Sequence, residues 1–211
     1  MNHKNQHYYS SSPDSNIKIH SVAESLRRHL YIFKTVTGIF SFKKLDLGTK
    51  IFIEHMTIPE DESVLLDLGC GYGAIGIVLA YLSKMSQVYL IDVNKRAIWC
   101  TRENIKTNIQ YYKGRVYALT GSFFEPIKGK DLKFNGIYMN PPIRIGRKEF
   151  FKVCDQIPSF LAPNGFFQFV IRKKMGADFV FKHLKEKFSA EKIEIVCKRS
   201  GYWVFKCFLN E

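Results

Sequence analysis

The 211-residue sequence predicts an α/β fold in which a mostly parallel sheet, covered by helices on both faces, ends on an antiparallel hairpin. Three observations predict it. From Ser63 onward, short apolar runs compatible with strands alternate with helical patterns. The stretch Val64 to Ala80, VLLDLGCGYGAIGIVLA, passes from an apolar run through a glycine-dense turn into a helical apolar pattern. The chain then finishes on two β-compatible segments joined by Ser200-Gly201, with no further helix between or after them.

Taken in order, residues 1–16 are polar and serine-rich and are expected to be a disordered tail. Residues 17–57 read as a small N-terminal β extension followed by a short helix. His29 to Phe33 and Val36 to Phe42 are β-compatible, with Gly38 as a turn. LDLGTKIFIEHM, Leu45 to Met56, opens on turn residues and passes into a helix that buries Ile51, Ile53 and Met56. Residues 58–211 form the main domain. Strands are predicted at Val64–Asp67, Val88–Asp92, Arg115–Leu119, Gly136–Asn140, Gly165–Ile171, Glu191–Cys197 and Tyr202–Leu209. Helices are predicted at Ala74–Ser83, Lys95–Asn108, Glu149–Phe160 and Ala177–Phe188.

Composition bounds the function. Hydrophobic residues make up 46% and aromatics 15%, enough for a substantial core. The longest apolar run, Ala74 to Leu82, is interrupted by Gly76 and falls short of the roughly 18 residues of a membrane span. With no apolar segment at the N-terminus, a cytoplasmic protein is expected. The five cysteines (70, 100, 154, 197, 207) are scattered without a C-x-x-C pair, which points to reduced thiols and away from a zinc site; no metal is expected. The formal charge is +13, and the excess is uneven: 8 basic against 7 acidic residues up to Glu62, then 24 against 12. Such a balance favours a polyanionic partner, most simply nucleic acid; a lysine-rich surface kept for solubility is the plainer account.

The chemistry begins at the glycine turn. Gly69, Gly71 and Gly73, with Asp67 at the mouth, let backbone approach a nucleotide, and the first N–H groups of the following helix face it. Gly71-x-Gly73-x-x-Gly76 also satisfies the dinucleotide fingerprint, so the turn alone fits NAD and S-adenosylmethionine equally. Asp92 ends the second strand, 25 residues after Asp67, where a carboxylate can accept both hydroxyls of a ribose; it could instead cap the helix from Lys95.

Asn140-Pro141-Pro142-Ile143 ends the fourth strand and separates these cofactors. Two prolines stiffen the chain and remove two N–H donors. The carbonyls left over, with the Asn140 amide oxygen, form a rigid set of acceptors at the sheet's carboxyl edge, suited to holding a planar –NH2 group. Its lone pair is turned out of conjugation and aimed at an electrophile, so orientation and electrostatics do the work of a strong base. An NAD-dependent oxidoreductase leaves this motif without a task. The only Tyr-x-x-x-Lys pair, Tyr202 and Lys206, lies in a predicted strand with its Cα atoms roughly 13 Å apart.

LDLGCGYGAIG followed by NPPI resembles the S-adenosylmethionine-dependent methyltransferases that act on exocyclic or amide nitrogens. GIFSFKKLDLGTKIF, Gly38 to Phe52, is similar to the segment preceding the glycine loop in ribosomal RNA guanine-N2 methyltransferases, most of all their single-domain archaeal-type relatives. The resemblance covers about Thr37 to Phe208. It implies a Rossmann-like class I methyltransferase fold with seven strands. It also implies that Asp67, Gly69, Gly71 and Gly73 line the methionine part of S-adenosylmethionine, with Thr49 near its carboxylate. Asp92 would hold the ribose and Ser122 would stand where the family has an acidic residue at the adenine amino group. Asn140, also close to the cofactor, would orient the target amine, assisted by the Pro141 carbonyl, with Pro142 stiffening the turn and Ile143 packing on the base. An aliphatic residue at 143, in place of the aromatic usual in adenine-N6 and glutamine-N5 enzymes, leans towards guanine N2.

Larger members of that family carry a second, degenerate copy of the fold for RNA binding, for which this chain has no room. Its grip on substrate is expected from its own surface, the β extension or a second subunit in a homodimer. The predicted topology gathers ten basic residues in loops at the sheet's carboxyl edge: Lys95, Arg96, Arg144, Arg147, Lys148, Arg172, Lys173, Lys174, Lys198 and Arg199. Of these Arg144, Arg147, Lys148, Arg172, Lys173 and Lys174 are the expected nucleic-acid contacts. Lys182, Lys185 and Lys187 read as the solvated face of the last helix. The expected activity is N-methylation of RNA, most simply guanine N2 in ribosomal RNA, with adenine N6, a protein glutamine amide or a non-catalytic RNA-binding module as the competing readings.

Overall fold

The computed structural model describes residues 16–142, 146–185, 188 and 192–208, with the side chain of Arg147 excepted. The predicted tail therefore lies almost wholly outside the described residues, as do Ile143, Arg144 and Lys187.

A seven-stranded sheet is built from β3 (Val64–Leu68), β4 (Gln87–Asp92), β5 (Val116–Thr120), β6 (Phe134–Met139), β7 (Leu161–Arg172), β8 (Ile193–Arg199) and β9 (Tyr202–Phe208), in the order β5-β4-β3-β6-β7-β9-β8. The first five strands in that row are parallel; β9 enters antiparallel between β7 and β8. Helices α2 (Ala74–Leu82), α3 (Lys95–Asn108), α4 (Gly146–Phe160) and α5 (Ala177–Leu184) connect them, and two buried hydrophobic clusters hold the sheet. This is the predicted seven-stranded, mostly parallel sheet with its terminal hairpin.

The strand order reverses between β3 and β6, and ligands of open α/β sheets bind at the carboxyl ends of such a pair. Asp67 on β3 is registered with Tyr138 on β6. Two residues further along each strand come Gly69 and Asn140. Register alone thus brings the glycine turn and the Asn-Pro-Pro motif to one place, although they stand 71 positions apart in the chain.

The N-terminal extension is a hairpin of β1 (Ile19–Leu26) and β2 (His29–Val36), followed by α1 (Leu47–His55). Its tight turn puts Arg27 and Arg28 in the left-handed region, at φ 51° and 67°. Arg27 offsets that cost by capping α1: its N–H donates to the Glu54 carboxylate, its Nε to the Ile53 carbonyl at 2.7 Å, and its guanidinium to the Met56 carbonyl. The outer edge of β2 is covered by a helix. Asn104 and Asn108 exchange hydrogen bonds with the backbone of Lys34 and Ile32, from 2.6 to 3.0 Å. Four residues of helix advance about 6 Å and two of strand about 6.6 Å, so asparagines at this spacing stand in for a neighbouring strand.

One predicted strand is corrected. Val36 to Phe42 is not a strand: β2 stops at Val36, and the chain turns at Gly38 (φ 88°) and Ser41 (φ 57°). Side chains take up the freed carbonyls. The Asn94 amide donates to the Gly38 carbonyl at 3.0 Å, and Arg96 to that of Thr37 at 3.3 Å. The strand that does pair with β2, Ile19–Leu26, carries too many serines for its alternation to stand out.

Candidate active site

A cleft of about 670 Å³ opens at the carboxyl ends of β3, β4, β6 and β7. Its floor is the glycine turn. Gly69 and Gly71 have φ of 76° and 58°, and a Cβ on either would meet no atom within 4 Å. Bare backbone in the left-handed region, facing open space inside a cleft, is what a closely approaching ligand needs. Gly73 differs: it precedes α2 at φ 91°, and a Cβ there would stand 3.0 Å from Thr101. It shapes the turn and does not line the cleft.

Asp67 also departs from its expected place. It is fully buried beneath the turn, is not among the cleft-lining residues, and accepts the Gly76 N–H at 2.8 Å. Burial pushes its carboxyl up to about 7, against the pull of the Gly76 N–H. Asp92 does line the cleft. Its two oxygens accept from Gly71 N–H and Asn94 N–H, both at 2.8 Å, which joins β4 to the glycine turn. Burial raises its carboxyl above the ordinary value, and those two bonds oppose the rise. The helix after it is capped by Asn94, which accepts from Arg96 and Ala97, so Asp92 is left for another task. Ser122 lines the same end of the cleft, beside Gly121 and Phe123.

At the opposite wall stand Asn140, Pro141 and Pro142. The Asn140 carboxamide nitrogen donates to Thr49 Oγ1 at 2.8 Å and lies 3.4 Å from the Asp46 carboxylate. Asp46 is the N-cap of α1, accepting the Thr49 N–H at 3.0 Å, and both residues line the cleft. Asp46 is the residue that sequence reasoning missed, although Asp-x-x-Thr ahead of an apolar helix is a legible capping signal. An apolar wall of Phe150, Ile171, Met175, Phe179 and Val180 completes this end.

Of the expected basic contacts, Arg172 and Lys174 line the cleft. The Arg172 Nε donates to the Tyr202 hydroxyl at 2.8 Å, and its guanidinium lies over that ring. Lys173 and Lys198 both approach the Trp203 ring, at 5.7 and 4.2 Å, and neither lines the cleft. Lys148 and Arg199 are exposed; Arg96 is directed to the Thr37 carbonyl in the turn after β2. Lys182 and Lys185 are exposed on the last helix. Among the described residues no group of three or more His, Cys, Asp or Glu could hold a metal, and no helix is long and apolar enough to cross a membrane.

A nucleoside-sized cleft at the switch point of this sheet, with an antiparallel pair at one edge, defines a Rossmann-like methyltransferase. Comparison with known proteins makes the assignment closer. A family model described as "Methyltransferase small domain" matches residues 30–206, and the chain belongs to that family. It is 33% identical over 205 residues to the uncharacterized protein YbxB of Bacillus subtilis, covering 95% of this chain and 97% of that one. It is 30% identical over 183 residues to the ribosomal RNA small subunit methyltransferase C of Buchnera aphidicola, and 34% over 125 residues to that of Aeromonas hydrophila. The chain spans 51% and 33% of the length of those two relatives. Among solved structures, the T. thermophilus 16S rRNA N2 G1207 methyltransferase in complex with AdoMet and guanosine superposes with a TM-score of 0.78 at 20% identity, over 94% of this chain and 52% of that one. A methyltransferase from Pyrococcus furiosus gives 0.60 at 20% identity, over 76% and 81%. At such identities the likeness is one of fold.

The residues present fit S-adenosylmethionine. The open glycine backbone would take the methionine part, the Asp92 carboxylate the ribose, and the Gly121–Phe123 corner the adenine.

Proposed function

We propose that the protein transfers a methyl group from S-adenosylmethionine to the exocyclic N2 amine of guanine in RNA, with ribosomal RNA as substrate. The observation that carries this reading is the Asn140 carboxamide. Its nitrogen is tied back to Thr49 and Asp46, and among the described residues nothing donates to its oxygen. That oxygen and the Pro141 carbonyl are then the acceptors for the two protons of an –NH2 group.

When bound, the donor supplies an electrophilic methyl whose bond to sulfur breaks, with its electron pair, as the bond to nitrogen forms. The protein's part is orientation. Two accepted hydrogen bonds turn the amine's lone pair out of the ring's conjugation and hold it in line. They also stabilise the positive charge that develops on nitrogen. The alkylated nitrogen is acidic and releases its proton to water, so no side chain needs to act as a strong base. The apolar wall of Phe150, Met175 and Phe179 offers contact area for a base lifted from its stack. Arg172 and Lys174 beside it suit the flanking phosphates.

RNA as substrate is further supported by the names of the two ribosomal RNA relatives. The test is nucleoside mass spectrometry of RNA from a strain lacking the protein, where one N2-methylguanosine is expected to be missing. Transfer of labelled methyl into protein alone would overturn the reading. Asn140→Ala is expected to abolish transfer while leaving donor affinity within about twofold.

A further inference from the structure

We infer that Asp46 and Thr49 are positioning residues for the Asn140 carboxamide, Thr49 anchoring its nitrogen and Asp46 deciding which way it faces; the inference deepens the reading above and rests on it for its kinetic consequence. An Asn side chain can place either its oxygen or its nitrogen towards a given neighbour, and only the first orientation accepts a hydrogen bond from an amine. The Thr49 hydroxyl, 2.8 Å from Nδ2, can donate or accept and so does not choose between the two. Asp46 does. Its Oδ2 lies 3.4 Å from the same nitrogen, and a carboxylate only accepts, so the flipped carboxamide would set oxygen against oxygen. With the nitrogen held on that side, the carboxamide oxygen is turned the other way.

The two residues are themselves held. Asp46 Oδ2 accepts the Thr49 N–H at 3.0 Å as the N-cap of α1 and lies 3.5 Å from the Thr49 hydroxyl. Thr49 is buried. Gly48 between them has no room for a side chain, because a Cβ would stand 2.6 Å from the Tyr202 ring and 2.9 Å from Asp46 Oδ2. The first turn of α1 is therefore clamped against β9, and the cap that starts the helix also aims the Asn140 amide on β6. This gives Thr49 a task different from the cofactor contact that family resemblance implies, and the two tasks leave different signatures.

The test uses the full chain with three substitutions. Thr49→Val keeps the shape and removes the hydroxyl; Asp46→Asn keeps a good N-cap and removes the directionality; Thr49→Ser restores the hydroxyl. The first readout needs no substrate: the Asn140 side-chain NH2 resonances in nitrogen-15 NMR. In the wild type two resolved, slowly exchanging protons are expected. They are expected to move towards the shifts of a free carboxamide and to exchange faster with water in Thr49→Val and Asp46→Asn, and to return in Thr49→Ser. The second is methyl transfer to unmodified small-subunit ribosomal RNA made in vitro. The kcat of the first two variants is expected to fall by about 10- to 100-fold, with donor affinity within twofold and recovery in Thr49→Ser. Unchanged Asn140 resonances in both variants would overturn the inference. So would a Thr49→Val enzyme with normal kcat at saturating donor and weakened donor binding, which would make Thr49 a cofactor contact. The expected NMR changes in a protein that leaves ribosomal RNA unmethylated would uphold the positioning role and overturn only the proposed substrate.

Discussion

The backbone N–H of Gly76 donates to Asp67 Oδ2 at 2.8 Å, deep under the glycine turn, while the other carboxylate oxygen is buried with no hydrogen-bond partner among the described residues. An ionised carboxylate in such a place is costly, and its proton is held up to about 7, chiefly by burial. An unfolded Asp titrates at about 3.9, so between about 4 and 7 the folded state binds more protons than the unfolded one. This group's contribution to stability therefore falls as pH rises across that window and is level above it. Asp67→Asn, which keeps the acceptor for Gly76, is expected to gain on the wild type as pH rises from 5 to 8. Melting curves of both proteins check it; a Tm difference independent of pH would mean that Asp67 is ionised throughout.

Asp92 holds the N–H groups of Gly71 and Asn94 and faces the cleft. Asp92→Ala is expected to leave both donors without an acceptor and to remove the ribose contact proposed for this carboxylate. Donor binding should weaken by about 1.5–3 kcal/mol, the range for a charged hydrogen bond. Calorimetric titration with S-adenosylmethionine measures it directly, and unaltered affinity would put the ribose elsewhere.

Arg172 and Lys174 are the described basic side chains that reach the cleft. Replacing both by Gln is expected to weaken RNA binding and to flatten the slope of log K against log salt by about 0.7 for each phosphate no longer neutralised. Donor affinity should stay the same. Filter binding from low to high salt separates this from a general loss of folding, which would leave no binding to fit.

Gly76 is packed so closely that a Cβ would come within 2.3 Å of Leu90 Cδ2. Gly76→Ala is expected to cost about 1–3 kcal/mol through overpacking. The clash is with the end of a side chain, so Leu90→Ala should cost less Tm in the Gly76→Ala background than in the wild type. An equal cost in both backgrounds would locate the strain in the backbone of the turn.

Local pattern was enough for much of the architecture. The apolar runs of β3 and β6 are buried on both faces, so they read as continuous hydrophobic stretches. Helix α3 was legible end to end from its helical pattern, although its cap is Asn94 and not the Asp92 that the sequence offered. The hairpin was harder. β1 alternates with serines and its turn is made by two arginines, neither a turn-forming residue; Arg27 is held there by carbonyls of α1, 26 and 29 positions away.

The site divides the same way. Glycines with positive φ, a strand-ending Asp92 and Asn-Pro-Pro are local necessities: each residue type is demanded by its own backbone or its own donors, so sequence alone determined the class of chemistry. Whether Asp67 touches a ligand or only braces the turn, and which way the Asn140 amide faces, depended on neighbours from other elements. Asp46 lies 94 positions from Asn140, and no local preference links them. The register of β3 with β6 and the packing of α1 on β9 put them 3.4 Å apart, and an acceptor at that distance decides the orientation of an amide.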